Sequence, residues 1–176
     1  PFDEIRHWMF DSALPLWAEA GVASHGFHEA LDFHAKPIAL DFKRTRVAGR
    51  QTYVFAHAAV LGWAPGIALS QLGAEFLDEI YQGPDKGWPS RLTPRNTTLD
   101  ATPDLYALAF VPFAYAWRFR AARDRSALAG AHRVLDFVEA KMRSPQGGFL
   151  HAIPPAGPRL QNPHMHLLEA CLAAYE

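Results

Sequence analysis

The chain of 176 residues is long enough for one domain, and 49% hydrophobic content can build a real core. With 17 basic and 18 acidic side chains its formal net charge is −1, which gives no electrostatic basis for nucleic acid or an acidic membrane as partner. The single cysteine, Cys171, excludes an internal disulfide and fits a reducing, cytoplasmic setting, and no apolar run reaches transmembrane length.

A first helix spans about Phe2 to Glu19, with Phe2, Ile5, Trp8 and Met9 on one side. A turn-rich stretch opened by Gly26-Phe27 follows. Its His25, His28 and His34 lie among Glu29 and Asp32, where surface histidines are the ordinary expectation. Lys43-Arg44-Thr45-Arg46 resembles a phosphate patch but is short, and a solvated helix start is the better account of it. A mostly uncharged helix then runs from Arg46 to about Gly62. On it Arg46, Arg50, Tyr53 and His57 fall at i, i+4, i+7 and i+11, a single stripe, while Val47, Val54, Ala58 and Leu61 take another face.

Leu69, Leu72, Phe76 and Ile80 form the dry side of the next helix, with Glu75, Asp78 and Glu79 outside it. Gly87-Trp88 opens a second turn stretch. Trp63 and Trp88 have the chemistry to stack on a sugar, but as loop anchors they need no ligand. Thr102 is the expected N-cap, with Pro103 at the first helical position, of a helix apolar nearly all round from Asp104 to Trp117. Such a helix must be covered on nearly all sides. An amphipathic helix follows, with Leu128, Ala131, Leu135, Val138 and Met142 as its dry stripe. Gly148-Phe149 opens the third turn stretch, and Asn162, as cap, with Pro163 behind it, opens the last helix.

The three glycine-aromatic pairs are each 61 positions apart. Outer helix, glycine-aromatic turn, hairpin-like segment and inner helix therefore recur as one unit. Tandem units of this kind predict an all-α fold, an (α/α)6 barrel of which residues 1–176 supply about three of six helical hairpins. Six units need roughly 366 residues. The chain opens on Pro1 rather than methionine and ends at Glu176 inside an apolar helical pattern, so a natural polypeptide about twice this length is expected. Left uncovered, the flanks of a half-ring forgo about 12 kcal/mol for roughly 500 Å² of apolar area.

Parallel inner helices gather their N-termini at one mouth, where Arg50, Tyr106, Asn162 and His166 sit at similar levels, as a concave ligand site requires. Each has a plainer account: an ion pair of Arg50 with Glu169, a core aromatic at Tyr106, a cap at Asn162, a core histidine at His166. His164 and His166, two apart on a helix, face different ways, so no metal site is expected.

RVAGRQTYVFAHA (Arg46 to Ala58), DLYALAFVPFAYAW (Asp104 to Trp117) and QNPHMHLLEA (Gln161 to Ala170) resemble three successive inner-helix motifs of the N-acylglucosamine 2-epimerase superfamily, and GFHEALD near Gly26 resembles its first turn. The likeness covers essentially the whole chain in order, and NPHMHLLEA is its most specific part. It implies an (α/α)6 barrel and a sugar 2-epimerase or aldose–ketose isomerase. The chemistry is proton abstraction next to the sugar carbonyl through an enediol. The resemblance implies that Arg50 contacts the sugar near its reacting carbonyl, that Tyr106 lines the pocket, and that Asn162 and His166 hold hydroxyls. It further implies a small-molecule sugar as partner, no cofactor and no metal, and leaves a homodimer open. Many members carry histidine or glutamine where this chain has Leu108, which puts a contact there in doubt and suggests a differently shaped pocket. The acid/base histidines of the family belong to later inner helices, so no catalytic residue is expected here and the chain alone should not turn over. A glycoside hydrolase or lyase on a similar toroid would need paired carboxylates, and Asp100, Asp104 and Glu169 are too few and too cap-like. A non-catalytic sugar-binding module is the other alternative.

Overall fold

The computed structural model describes residues 2–175. Its helices are α1 (Phe2–Trp8), α2 (Leu14–Ala20), α3 (Thr45–Val60), α4 (Gly66–Glu79), α5 (Leu105–Ala122), α6 (Arg125–Met142) and α7 (Gln161–Tyr175). A π-helical turn, Met9–Ala13, joins α1 to α2 in one rod. It stands just ahead of Pro15, whose ring would collide with the Asp11 carbonyl in a regular α-helix, so the wider turn accommodates it. Short strands β1 (Val22–Ala23) and β2 (Gly26–Phe27) make a hairpin, and β3 (Lys43–Arg44), β4 (Arg91–Leu92) and β5 (Thr98–Asp100) an antiparallel sheet.

Helix α5 lies between α3 and α7, while α4 packs on α3 and α6 on α5. This all-α, two-layered arc explains the composition of α5. Neighbours on both flanks and behind leave Leu105, Leu108, Val111, Ala114 and Tyr115 no more than 1% exposed. The repeat is physical. Gly26, Gly87 and Gly148 have φ of +99°, +66° and +65°, the left-handed region that favours glycine. Gly26 lies against the Phe76 ring and Gly87 against the Phe137 ring. The two rings are themselves 61 positions apart. The turns also lock the inner helices: Thr45 N–H donates to Ser90 O and Leu105 N–H to His151 O.

The outer helices bury the predicted stripe in part: Phe76 and Ile80 in and just after α4, and Ala131, Val138 and Met142 of α6, are buried, while Leu69, Leu72, Leu128 and Leu135 are only half-buried. On α4 the buried residues are Gly66, Ser70, Gly73, Ala74, Phe76 and Leu77, with Leu69 and Leu72 only half-buried. On α6 they include Ala127, Gly130, Ala131, Val134 and Phe137, with Leu128 half-buried. Close packing on the inner helices selects small side chains: a Cβ on Gly130 would press on the Tyr115 ring at 2.8 Å. Two helix starts also differ from expectation. Asp104, not Thr102, caps α5, its carboxylate accepting from Ala107 N–H at 2.7 Å, because Pro103 and Asp104 are held in the mouth loops by bonds to Ile153 and Ala152. Helix α7 already begins at Gln161, so Asn162 lies in its first turn rather than at the cap. Pro163 is tolerated there because first-turn amides need no helical partner.

The arc ends in two apolar edges. Phe2, Ile5 and Trp8 of α1 are exposed beside Val54 of α3, and Met165, Leu168, Leu172 and Tyr175 are exposed along α7. No described helix is long and apolar enough to cross a membrane.

Lys43 is nearly fully buried at the start of the β3 sheet, its Nζ donating to His25 O and standing 4.6 Å from the Phe76 ring centroid. Burial lowers its pKa to about 8 from the usual 10.5, against a smaller opposing pull from Glu79. Between those two values the unfolded chain holds a proton that the folded chain releases. Stability therefore rises with pH across that window. Chemical denaturation at stepped pH is expected to show that rise in the wild type and a flatter profile in Lys43→Met; identical profiles would contradict it.

Candidate functional site

The α3 stripe spacing recurs on each inner helix. Tyr106, Phe110, Phe113 and Trp117 on α5, and Asn162, His166, Glu169 and Ala173 on α7, repeat the i, i+4, i+7, i+11 pattern of Arg46, Arg50, Tyr53 and His57. Side chains at that spacing share one helix face. In the structure the three faces meet on the concave side of the arc. Arg46, Arg50, Tyr106 and Asn162 line a mouth of about 420 Å³ at the N-terminal ends of α3, α5 and α7. Arg50, Tyr53, Phe110, Phe113, Trp117, His166 and Glu169 line a trough of about 610 Å³ below it. The inner helices therefore run parallel with their N-termini at one rim, and Arg50 stands where mouth and trough meet.

Arg50 is half-buried. Its guanidinium donates to Tyr106 Oη and stacks 4.2 Å from the Phe110 ring centroid and 5.3 Å from that of Tyr106. Among the described residues no carboxylate pairs with it. The ion pair with Glu169 is absent, because Glu169 accepts from His166 Nδ1 at 2.7 Å. That bond leaves the other imidazole nitrogen, Nε2, without a hydrogen-bond partner among the described residues. The His166 ring also packs against Tyr106 (5.2 Å) and Phe110 (4.8 Å). Arg50, Tyr106 and His166 thus form one contiguous cluster. Asn162 stands exposed on the mouth wall, without the cap role that would otherwise account for it.

Close approach of α3 to α5 sets this geometry, and Gly49 permits it. A Cβ there would lie 2.8 Å from the Phe110 carbonyl oxygen and 3.0 Å from its Cβ. Glycine to alanine within a helix ordinarily gains about 1 kcal/mol. Gly49→Ala is instead expected to destabilise by about 1–3 kcal/mol through overpacking. A urea midpoint equal to or above the wild type would contradict this.

The trough floor is aromatic. Tyr53 packs 4.4 Å from Phe113, and His57 lies on Trp117 at 3.9 Å while its Nδ1 meets Tyr53 Oη at 3.1 Å. Burial, then Arg120, pushes the His57 pKa down, and burial, then Glu169, pushes the Tyr53 pKa up. Both shifts favour the uncharged form; Tyr53 lines the trough, and His57 lines the groove beside α1.

Other sequence candidates fall elsewhere. His164 is a brace: its ring bridges Leu160 O and the Phe149 amide at 2.9 and 3.2 Å. Trp88 is a buried loop anchor, its indole N–H donating to Leu77 O at 2.8 Å. Leu108 is 1% exposed within the core, so its identity bears on helix packing and not on pocket shape. Asp100 and Asp104 accept from backbone amides of Thr102 and Ala107. Phe110, Phe113 and Trp117 join the site unforeseen, although the α3 spacing carried to the next helix would have found them. A separate groove of about 470 Å³ between α1 and α3, walled by Phe2, Ile5, Met9 and Val54, is apolar and belongs to the edge of the arc.

Residues 26–176 match the family described as N-acylglucosamine 2-epimerase (GlcNAc 2-epimerase). The chain is 34% identical over 178 residues to the mannose-6-phosphate isomerase of Rhizobium meliloti (strain 1021), covering 98% of this chain and 46% of that protein. It is 30% identical over 181 residues to the D-mannose isomerase of Thermobifida fusca, covering 97% and 44%. Its structure is similar to that of cellobiose 2-epimerase from Spirochaeta thermophila DSM 6192, with a TM-score of 0.88 at 26% identity over 98% of this chain and 48% of that one. A D-mannose isomerase crystal structure shares the fold at a TM-score of 0.84 and 21% identity, covering 94% and 44%. The fold is that of the (α/α)6-barrel epimerases, and the chain spans about half the length of the curated relatives it matches.

Proposed function

The chain belongs to the N-acylglucosamine 2-epimerase family, and from that premise we propose that it forms the substrate-holding wall of a sugar isomerase acting on a mannose-type aldose. A base removes the C2 proton of the open-chain sugar, electrons move onto the carbonyl oxygen to give an enediolate, the O2 proton passes to O1, and return of the proton to C1 leaves the carbonyl at C2 of the ketose. The observation that carries this is Arg50, a permanent cation without a carboxylate partner among the described residues, held between Tyr106 and Phe110 at the head of the trough. A fixed guanidinium beside the carbonyl stabilises the oxyanion as it develops. Tyr106, Asn162 and His166 supply hydroxyl contacts, and Trp117 and Phe113 a wall for the sugar face.

The acid/base pair is assigned to helices of the relatives' second half, which also cover the apolar edges of α1 and α7. No cofactor is needed for a proton shift of this kind. The names of the two curated relatives favour the isomerase over the epimerase outcome, and both begin with the same proton abstraction. A hydrolase is disfavoured because Asp100 and Asp104 are occupied with amides.

The test is incubation of the full-length protein in deuterated water with mannose, mannose 6-phosphate, N-acetylglucosamine and cellobiose, followed by NMR. Deuterium at C1 of a new ketose is expected; deuterium at C2 of an epimer would shift the reading to epimerase. No exchange with any sugar by folded protein would overturn both.

A further inference from the structure

The basic run Lys43-Arg44-Thr45-Arg46 does not behave as one patch. Lys43 is buried on His25 O, and Thr45 Oγ1 donates to Pro89 O. Arg44 is held by Glu29, through Nε to one carboxylate oxygen at 2.5 Å and through its amide to the other at 2.9 Å. Arg44 reaches the mouth only as half of that pair, and the other basic residue of this run that lines it is Arg46. Its guanidinium sits 5.4 Å from the Tyr106 ring centroid, with no hydrogen bond or ion pair to a described residue. Asp104 shares that mouth, but its carboxylate is turned to its own helix. The N-terminal ends of α3, α5 and α7 add their partial positive charge at the same rim. The mouth is therefore a cationic, half-open cavity with a forked donor unused beside the Asn162 amide.

We propose that Arg46 is a specificity residue that binds an anionic group of the phosphate monoester class on the end of the sugar remote from its carbonyl. This rests on the sugar-site reading above. Arg46 and Arg50 are one helical turn apart on one face, about 6 Å along the axis, comparable to the length of a single hexose. A sugar with its carbonyl at Arg50 and its chain toward the mouth thus brings its far end to Arg46. A planar guanidinium matches phosphate oxygens two at a time, whereas a neutral hydroxyl uses little of that fork.

Calorimetric titration of the full-length protein with mannitol 1-phosphate and with mannitol, neither of which has a carbonyl to react, tests this without turnover. The phosphorylated polyol is expected to bind at least about tenfold tighter, as one charge-assisted contact supplies, and the preference should shrink as salt is raised. Arg46→Gln should bring the affinity ratio close to one, while Arg46→Lys should keep part of it. Equal affinity for the two polyols, no binding of either, or a full preference persisting in Arg46→Gln would overturn the proposal. Absent deuterium exchange in the earlier experiment would instead sink the isomerase reading, so the two failures are distinguishable.

Discussion

Replacing Arg50 with alanine in the full-length protein is expected to lower kcat/KM by about 10²–10³-fold, the loss seen when one preorganised oxyanion donor is removed. Most of it should fall on kcat, since the charge is proposed to meet an oxygen that becomes anionic only as the C2 proton leaves. Little stability should go with it. The Arg50 side chain is half-buried, its contacts are one hydrogen bond to Tyr106 and two ring faces, and no buried carboxylate is stranded by its removal. Arg50→Lys should recover only part of the rate, because a point charge on a flexible stem lacks the fork that Tyr106 and Phe110 hold in place. Steady-state kinetics beside a melting curve separates the cases. Near-normal kcat/KM in Arg50→Ala would remove this residue from the chemistry.

The largest structural effect is expected at Trp88. Its ring is 1% exposed, it packs 4.4 Å from Tyr81, and its indole N–H donates to the Leu77 carbonyl at 2.8 Å. It anchors the middle glycine-aromatic turn to the outer helix that precedes it. Truncation to alanine should destabilise by about 3–5 kcal/mol, the range for large buried aromatics, a sizeable share of the stability of any domain. Trp88→Phe keeps most of the packing and loses the hydrogen bond, so about 1 kcal/mol is expected. Denaturant midpoints that place the two variants together would contradict this division between packing and hydrogen bonding.

Much of this was legible in the residues. Glycines at 26, 87 and 148 mark the left-handed turns because few other residues adopt that backbone cheaply. The all-round apolarity of α5 reports a helix covered on both flanks and behind. The polar stripe of α3 located the concave face. Other features were not legible. Outer-helix burial is legible only in part, at Phe76, Ile80, Ala131, Val138 and Met142, because the tight seam also needs Gly66, Gly73 and Gly130 where a larger side chain would collide. The cap of α5 depends on bonds to a segment nearly fifty positions downstream, through Ile153 and Ala152, which no local pattern contains. The engagement of Glu169 by His166 is an i, i+3 contact that spacing permits, but spacing along one helix does not choose between His166 and Arg50, which stands two helices away, as its partner.

Helices α3, α5 and α7 present Arg50, Tyr106 and His166 to one hollow, proposed to hold a sugar. A crystal structure of the full-length protein soaked with mannitol, an open-chain analogue without a carbonyl to react, tests it most directly. The polyol is expected in the trough, with a terminal oxygen within hydrogen-bond distance of the Arg50 guanidinium and another near His166 Nε2. A polyol bound at some other surface, with the trough holding only water, would contradict it.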